Sequence, residues 1–210
     1  MRPVRIALTK GRLEKKAVSL FETMGLDCSQ LNAKGRRLVL PVGDFEVVLA
    51  KAADVITYVR HGVCDMGIVG KDTIAESGDG VYEVMDLGFG KCCFALAVLG
   101  GTDFYAGHSK KVIATKYPNV AKSFFDSKGM DVRIIKIEGS VELAPILGLA
   151  DGIVDIVETG TTLRENGLEV AEKIIPVSAR LIVNMASMKL RKDFIEEFLR
   201  DAEAAKVLMD

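Results

Sequence analysis

The sequence holds one stretch whose residue types suit the chemistry of a sugar phosphate. An apolar run ends in Asp155-Ile156-Val157-Glu158, and Thr159-Gly160-Thr161-Thr162-Leu163 follows at once. Backbone N–H groups at a helix start point outward and bind anions; threonine hydroxyls add donors, and glycine admits close approach. Asp155 can accept hydrogen bonds from sugar hydroxyls, so the segment could hold both ends of a ribose 5-phosphate unit. The competing reading is an ordinary capped turn, with Thr161 or Thr162 as the N-cap. Spacing alone does not separate the two.

Three further segments carry charge at a turn. In Thr9-Lys10-Gly11-Arg12 a strand ends, a glycine turns the chain and a helix begins. Lys10 and Arg12 could meet a polyphosphate, with the helix dipole adding to them; otherwise they are two solvated charges. Gly35-Arg36-Arg37 precedes an apolar strand, and arginine presents a planar fork to phosphate oxygens; the alternative is an exposed loop. In the stretch from Asp65 to Asp72, a buried strand ends at Gly70 and a helix opens with Lys71 and Asp72, where Asp72 could equally be a helix cap. Two anion-suited turns, at residues 9–12 and 158–162, support each other more than either stands alone.

These turns need a scaffold, and the pattern supplies one. Strand-like runs at residues 5–9, 37–40, 46–50 and 66–69 alternate with helical runs at 13–24, 54–61 and 71–76. Gly25 and Gly62 are placed to end the first two helices, and residues 42–44 to turn between strands. A glycine-rich passage at residues 87–91 leads into strand 92–99. The rhythm then resumes with strand 112–115, helix 118–128, strand 131–137, helix 141–149, strand 153–157, strands 169–177 and 180–183, and a closing amphipathic helix to residue 209. Pro118 suits the first turn of its helix and Gly129 its end. Repeated strand–helix units predict an α/β fold with helices on both faces of its sheets. Two lobes are expected, residues 1–88 with 178–210 and residues 89–177, with ligands in a cleft between them.

The bulk properties restrict the function classes. The chain has 210 residues, 49% hydrophobic and 27% charged, with a formal net charge of -1. Such a chain buries a core, and no global field draws it to nucleic acid or membrane. A phosphate ligand then depends on a local site. The N-terminus lacks the apolar core of a secretion signal, and the expectation is a soluble, cytoplasmic protein. Cys28, Cys64, Cys92 and Cys93 form no Cys-x-x-Cys pair and read as small hydrophobes. His61 and His108 have no partner at metal spacing, so no histidine-built metal site is expected.

Read together, the segments resemble the short form of the ATP phosphoribosyltransferase catalytic subunit of histidine biosynthesis. The resemblance rests on Leu8-Thr9-Lys10-Gly11-Arg12-Leu13, on the stretch from Asp65 to Asp72, on that from Ile113 to Val120, on Gly139-Ser140-Val141-Glu142-Leu143-Ala144-Pro145, and on Asp155 through Leu163. It implies a two-lobed fold like the type II periplasmic binding proteins. It implies transfer of the phosphoribosyl group of phosphoribosyl pyrophosphate to N1 of ATP, with release of pyrophosphate. By position, Asp155, Glu158, Thr159, Gly160, Thr161 and Thr162 would hold phosphoribosyl pyrophosphate. Arg12 and Arg36 would act on the leaving pyrophosphate, and Lys10, Gly11, Lys51, Asp72, Ser140 and Glu142 would place ATP. Mg2+ would arrive on the substrates. The family's short form further implies a homodimeric core, joined in a hetero-octamer by a regulatory subunit resembling histidyl-tRNA synthetase. Rival readings are a solute-binding module, which usually carries a secretion signal or a DNA-binding domain, and a scaffold for a partner's activity.

Overall fold

The computed structural model describes residues 2–107 and 109–209. His108, weighed above as a metal ligand, lies outside the described residues. In chain order the first elements are β1 (Val4–Thr9), α1 (Arg12–Thr23), α2 (Ser29–Asn32), β2 (Val39–Val42), β3 (Phe45–Ala50), α3 (Ala52–Arg60), β4 (Met66–Gly70), α4 (Lys71–Ser77) and β5 (Tyr82–Asp86). Next come β6 (Cys92–Leu99), β7 (Val112–Thr115), α5 (Pro118–Ser127), β8 (Arg133–Lys136), α6 (Leu143–Ile146), β9 (Gly152–Val157), α7 (Thr161–Glu165) and β10 (Leu168–Val177). The chain closes with β11 (Ala179–Val183), α8 (Ser187–Leu190) and α9 (Lys192–Met209). They divide into two units, Met1–Gly90 with Ser178–Asp210, and Lys91–Val177. No helix among the described residues is long and apolar enough to cross a membrane.

The first unit is a mixed six-stranded sheet in the order β2-β3-β1-β4-β11-β5. Successive side chains of a strand point to opposite faces, and burial follows that period. Val4, Ile6 and Leu8 enter the core beneath α1 and α9, while Ala7 joins Val55, Ile56 and Val59 of α3 on the other face. Met66, Ile68 and Val69 divide the same way, and Gly67 lets α3 press onto β4: a Cβ there would lie 2.8 Å from Val55 and 2.9 Å from Val59. The apolar stripe of α1 (Ala17, Leu20, Phe21) meets Ile195, Phe198 and Ala202 of α9. Phe21 stands edge-on to Phe198, with ring centroids 6.0 Å apart, and to Phe45 at 5.5 Å. Asp65 fixes the far end of β4, accepting from Arg2 at 2.7 Å, the Arg5 N–H at 3.0 Å and the Ser187 hydroxyl at 2.7 Å. Burial alone would raise its pKa, but these donors more than offset it and hold it below the usual carboxylate range.

The second unit is a five-stranded sheet in the order β10-β6-β9-β7-β8. Ala97, Ala114, Ile153, Leu163 and Leu168 form the core on one face with Val141 and Ala144 of the α6 region.

Several element boundaries differ from the sequence expectation. The strand expected at residues 37–40 forms at Val39–Val42, where Pro41 is tolerated because β2 lies at the sheet's outer edge. The helix expected at 141–149 shortens to Leu143–Ile146, and Gly148 has φ 72° just beyond it. Asp54 lies in the first turn of α3, whose N-cap is Lys51. Gly25, Gly62 and Gly129 all adopt positive φ beyond helix ends, and Pro118 opens α5, as their residue types predict.

Candidate active site

In the first unit, β1, β3 and β4 run parallel, with Thr9 opposite Ala50 and Leu8 opposite Ile68. Their carboxyl ends share one rim of the sheet, and each leads quickly into a helix. α1 begins after Lys10 and Gly11, α3 after Lys51, and α4 directly after Gly70. β2 is antiparallel to β3, and the Leu49 N–H donates to Leu38 O at 2.8 Å. The chain bearing Arg36 therefore enters β2 from that same rim. Topology thus gathers Lys10, Gly11, Arg12, Arg36, Lys51 and Asp72 along the carboxyl ends of these strands, where open α/β sheets bind ligands.

The cations on this rim do not serve the helices; the first-turn acids Glu14, Asp54 and Asp72 do that. Arg12 is the first residue of α1, Lys51 the N-cap of α3 and Lys71 the first residue of α4. A cation at the positive end of a helix is disfavoured by about 0.3–1 kcal/mol. A polyanion lying along the rim would reverse that sign, meeting cations and helix dipoles at once. Lys10, Arg12, Arg36 and Lys51 are all exposed. Arg37, also exposed, is folded back onto its own loop, donating to Ala33 O at 3.2 Å and Lys34 O at 3.3 Å.

Two local features shape the rim. Gly11 has φ 102° and ψ -132°, a conformation that only glycine adopts without strain. Its N–H donates to Glu14 Oε2 at 3.3 Å, and the buried Glu14 also pairs with Lys34. Lys34 belongs to the loop that carries Arg36, so one carboxylate ties that loop to the first turn of α1. Asp72 does not cap α4, since the N-cap is Gly70. Its carboxylate folds back over Gly70 instead, and Thr73 Oγ1 donates to it at 3.4 Å.

The second unit has a rim of the same kind. β9 and β8 both run parallel to β7, with Val154 and Lys136 opposite Thr115. Asp155 lies near that end of β9, and the loop to Thr162 leaves the strand there; Lys116 leaves β7, and the chain bearing Ser140 and Glu142 leaves β8. The buried Thr115 hydroxyl donates to Val154 O at 2.6 Å and accepts the Tyr117 N–H at 2.8 Å, which pins the turn of Lys116 beside β9. Asp155 is half-buried. Burial pushes its carboxyl up to about 6; the Ile156 N–H and Lys116 oppose the rise, and Glu142 adds to it.

The loop itself is built from short contacts. Gly160 sits in the left-handed region, φ 71° and ψ 8°, and takes the N-cap place of α7, so neither Thr161 nor Thr162 is the cap. Thr159 Oγ1 and Thr161 Oγ1 are 3.0 Å apart. The Arg164 guanidinium donates to Thr159 O at 3.0 Å and Thr161 Oγ1 at 3.1 Å. Glu158, Thr159, Thr161 and Thr162 are exposed, as is Ser140, while Glu142 is half-buried at the N-cap of α6.

Sequence reasoning passed over Lys116 and Arg164. Lys116 follows its strand as Lys10 follows β1, and that repetition was the available signal. Arg164 lies three residues after Thr161, the spacing at which helical side chains meet. Among the described residues, no three His, Cys, Asp or Glu side chains cluster so as to hold a metal ion. Cys28 and Cys64 are buried, and Cys92 and Cys93 are half-buried.

Comparison with known proteins bears on the family of the chain. The family described as HisG: ATP phosphoribosyltransferase matches residues 51–204. A relative named ATP phosphoribosyltransferase from Clostridium kluyveri is 59% identical over 204 residues, covering 96% of this chain and 93% of its own. One of the same name from Clostridium acetobutylicum is 59% identical over 199 residues, covering 94% and 93%. Among solved structures, a chain of the ATP phosphoribosyl transferase (HisG:HisZ) complex from Thermotoga maritima superposes with a TM-score of 0.84 at 33% identity, covering 97% of this chain and 98% of that one. The periplasmic aliphatic sulphonate binding protein SsuA from Escherichia coli shares the fold alone, with a TM-score of 0.59 at 11% identity over 98% of this chain and 72% of its own. The chain therefore belongs to the ATP phosphoribosyltransferase family of pentosyltransferases.

Proposed function

We propose that the chain performs the first step of histidine biosynthesis, moving the phosphoribosyl group of phosphoribosyl pyrophosphate to N1 of ATP. The bond from the anomeric carbon to pyrophosphate breaks, and a bond from adenine N1 to that carbon forms. N1 is a weak nucleophile, so the transition state has oxocarbenium character and little proton transfer is required. The protein's task is to orient two polyanions and to neutralise charge growing on the leaving group.

Each rim has its part in this reading. The Glu158-to-Thr162 loop holds the 5-phosphate on its N–H groups and hydroxyls, and Asp155 accepts from the ribose hydroxyls. Arg12 and Arg36 receive the departing pyrophosphate, and their forks match phosphate oxygens. Lys10, Gly11, Lys51 and Asp72 place ATP, with Ser140 and Glu142 beside its purine or ribose. Magnesium comes with the substrates, where it offsets phosphate charge. The observation carrying the reading is the gathering of these residue types on the carboxyl rims of parallel strands.

The working assembly in this reading is cytoplasmic, a homodimeric core within a hetero-octamer completed by a regulatory subunit that resembles histidyl-tRNA synthetase. The Thermotoga maritima neighbour, solved as a HisG:HisZ complex, supports a second subunit. Histidine feedback then acts through the partner. Mixing the chain with ATP, magnesium and phosphoribosyl pyrophosphate, with and without the partner, tests the activity. N1-(5-phosphoribosyl)-ATP and pyrophosphate should form in equal amounts; a binder or scaffold would form neither.

A further inference from the structure

We infer that Arg164 is a positioning residue for the 5-phosphate of phosphoribosyl pyrophosphate, clamping the turn from Thr159 to Thr161 and setting a fixed positive charge beside it. The inference rests on the reading of this loop given above. One face of the guanidinium takes two acceptors of the loop, Thr159 O at 3.0 Å and Thr161 Oγ1 at 3.1 Å.

Both contacts prepare the loop for an anion. In a trans peptide the C=O and the next N–H point in opposite directions. Turning the Thr159 carbonyl toward Arg164 therefore removes an oxygen that would repel phosphate and aims the Gly160 N–H the other way. Arginine only donates, so Thr161 Oγ1 accepts from it. The Thr161 proton then remains for Thr159 Oγ1, 3.0 Å away, or for a phosphate oxygen. Gly160 completes the clamp, because a Cβ there would lie 3.3 Å from the guanidinium nitrogen. Arg164 is exposed and stands outside the core, so its substitution leaves the packing intact.

The test uses Arg164→Gln and Arg164→Lys in the full chain, assayed as the active complex, with ribose 5-phosphate and pyrophosphate as separate calorimetric probes. Losing hydrogen bonds to a charged group of this kind corresponds to roughly a 10- to 100-fold change in affinity. Arg164→Gln should raise KM for phosphoribosyl pyrophosphate and Kd for ribose 5-phosphate by about that factor, while KM for ATP and Kd for pyrophosphate change less than about twofold. Arg164→Lys should recover part of the loss, since it keeps the charge without the fork. Wild-type affinity of Arg164→Gln for ribose 5-phosphate overturns the inference, and so does an equal loss toward ATP. Thr161→Ala separates the two levels. If it weakens ribose 5-phosphate while Arg164→Gln does not, only the role of Arg164 falls. If neither variant does, the loop is not the phosphate site and both readings fall.

Discussion

The carboxylate of Asp72 occupies the space in which a side chain on Gly70 would begin. The backbone of Gly70, at φ -70° and ψ 147°, suits any residue, so space and not conformation requires glycine there. Gly70→Ala should push Asp72 off the rim and cost about 1–3 kcal/mol of stability in urea unfolding, the range for overpacked sites. Adding Asp72→Ala should return much of that loss, giving a non-additive double-mutant cycle. Additive losses would mean that Asp72 does not fill the space over Gly70.

Glu14 joins two parts of the same rim through the Gly11 N–H and Lys34. Glu14→Ala leaves the Gly11 amide unanswered and releases the loop that carries Arg36. A stability loss of about 1–2 kcal/mol is expected, discounted because Lys34 is partly solvated. The larger effect should be on turnover, because Arg36 loses its fixed approach. A variant with lowered stability but wild-type kcat would detach Glu14 from the placement of Arg36.

Asp155 gives a pH signature of opposite sign for stability and for binding. Its carboxyl is pushed up to about 6, above the ordinary value of 3.8, so the folded chain holds a proton that the unfolded chain releases. Stability therefore falls as pH rises from the unfolded value through the folded one, and stays reduced above it. Asp155→Asn removes that cost and should stabilise the free protein at pH 8 by on the order of 1–3 kcal/mol. Near pH 4, where wild-type Asp155 is protonated, the gain should vanish. The same variant should lose affinity for phosphoribosyl pyrophosphate, and the wild-type affinity should weaken as pH drops through the titration of Asp155. An Asn variant no more stable than wild type at pH 8 would contradict the burial cost.

Much of the scaffold was legible because its signals are local. β7 and β9 are short apolar runs between polar turns, and Gly25, Gly62 and Gly129 mark helix ends through a conformation that glycine favours. The anion-suited turns were legible for the same reason, since Lys10, Gly11 and Arg12 lie between a strand and a helix in sequence. The elements not foreseen depend on distant partners. Among the described residues β5 is an edge strand that pairs only with β11, where Arg180 lies opposite Asp86 across almost half the chain. β11 enters between β4 and β5, an order that no local pattern encodes. α2 and α8 have four residues each, too few to show a period. Arg164 was missed because its chemistry lies in contacts made by folding back over Gly160, and Lys116 because strand register alone brings it beside Asp155.

The proposed function assigns both rims to one reaction, and single-turnover product formation by Arg12→Ala, Arg36→Ala and Thr161→Ala tests this most directly. Removing one charged contact to a leaving group costs about 10²–10³ in rate. Both arginine variants should show that loss at saturating substrate. Thr161→Ala should instead weaken phosphoribosyl pyrophosphate binding, with most of its rate recovered at high concentration. Wild-type single-turnover rates in both arginine variants, or unchanged phosphoribosyl pyrophosphate affinity in Thr161→Ala, would contradict it.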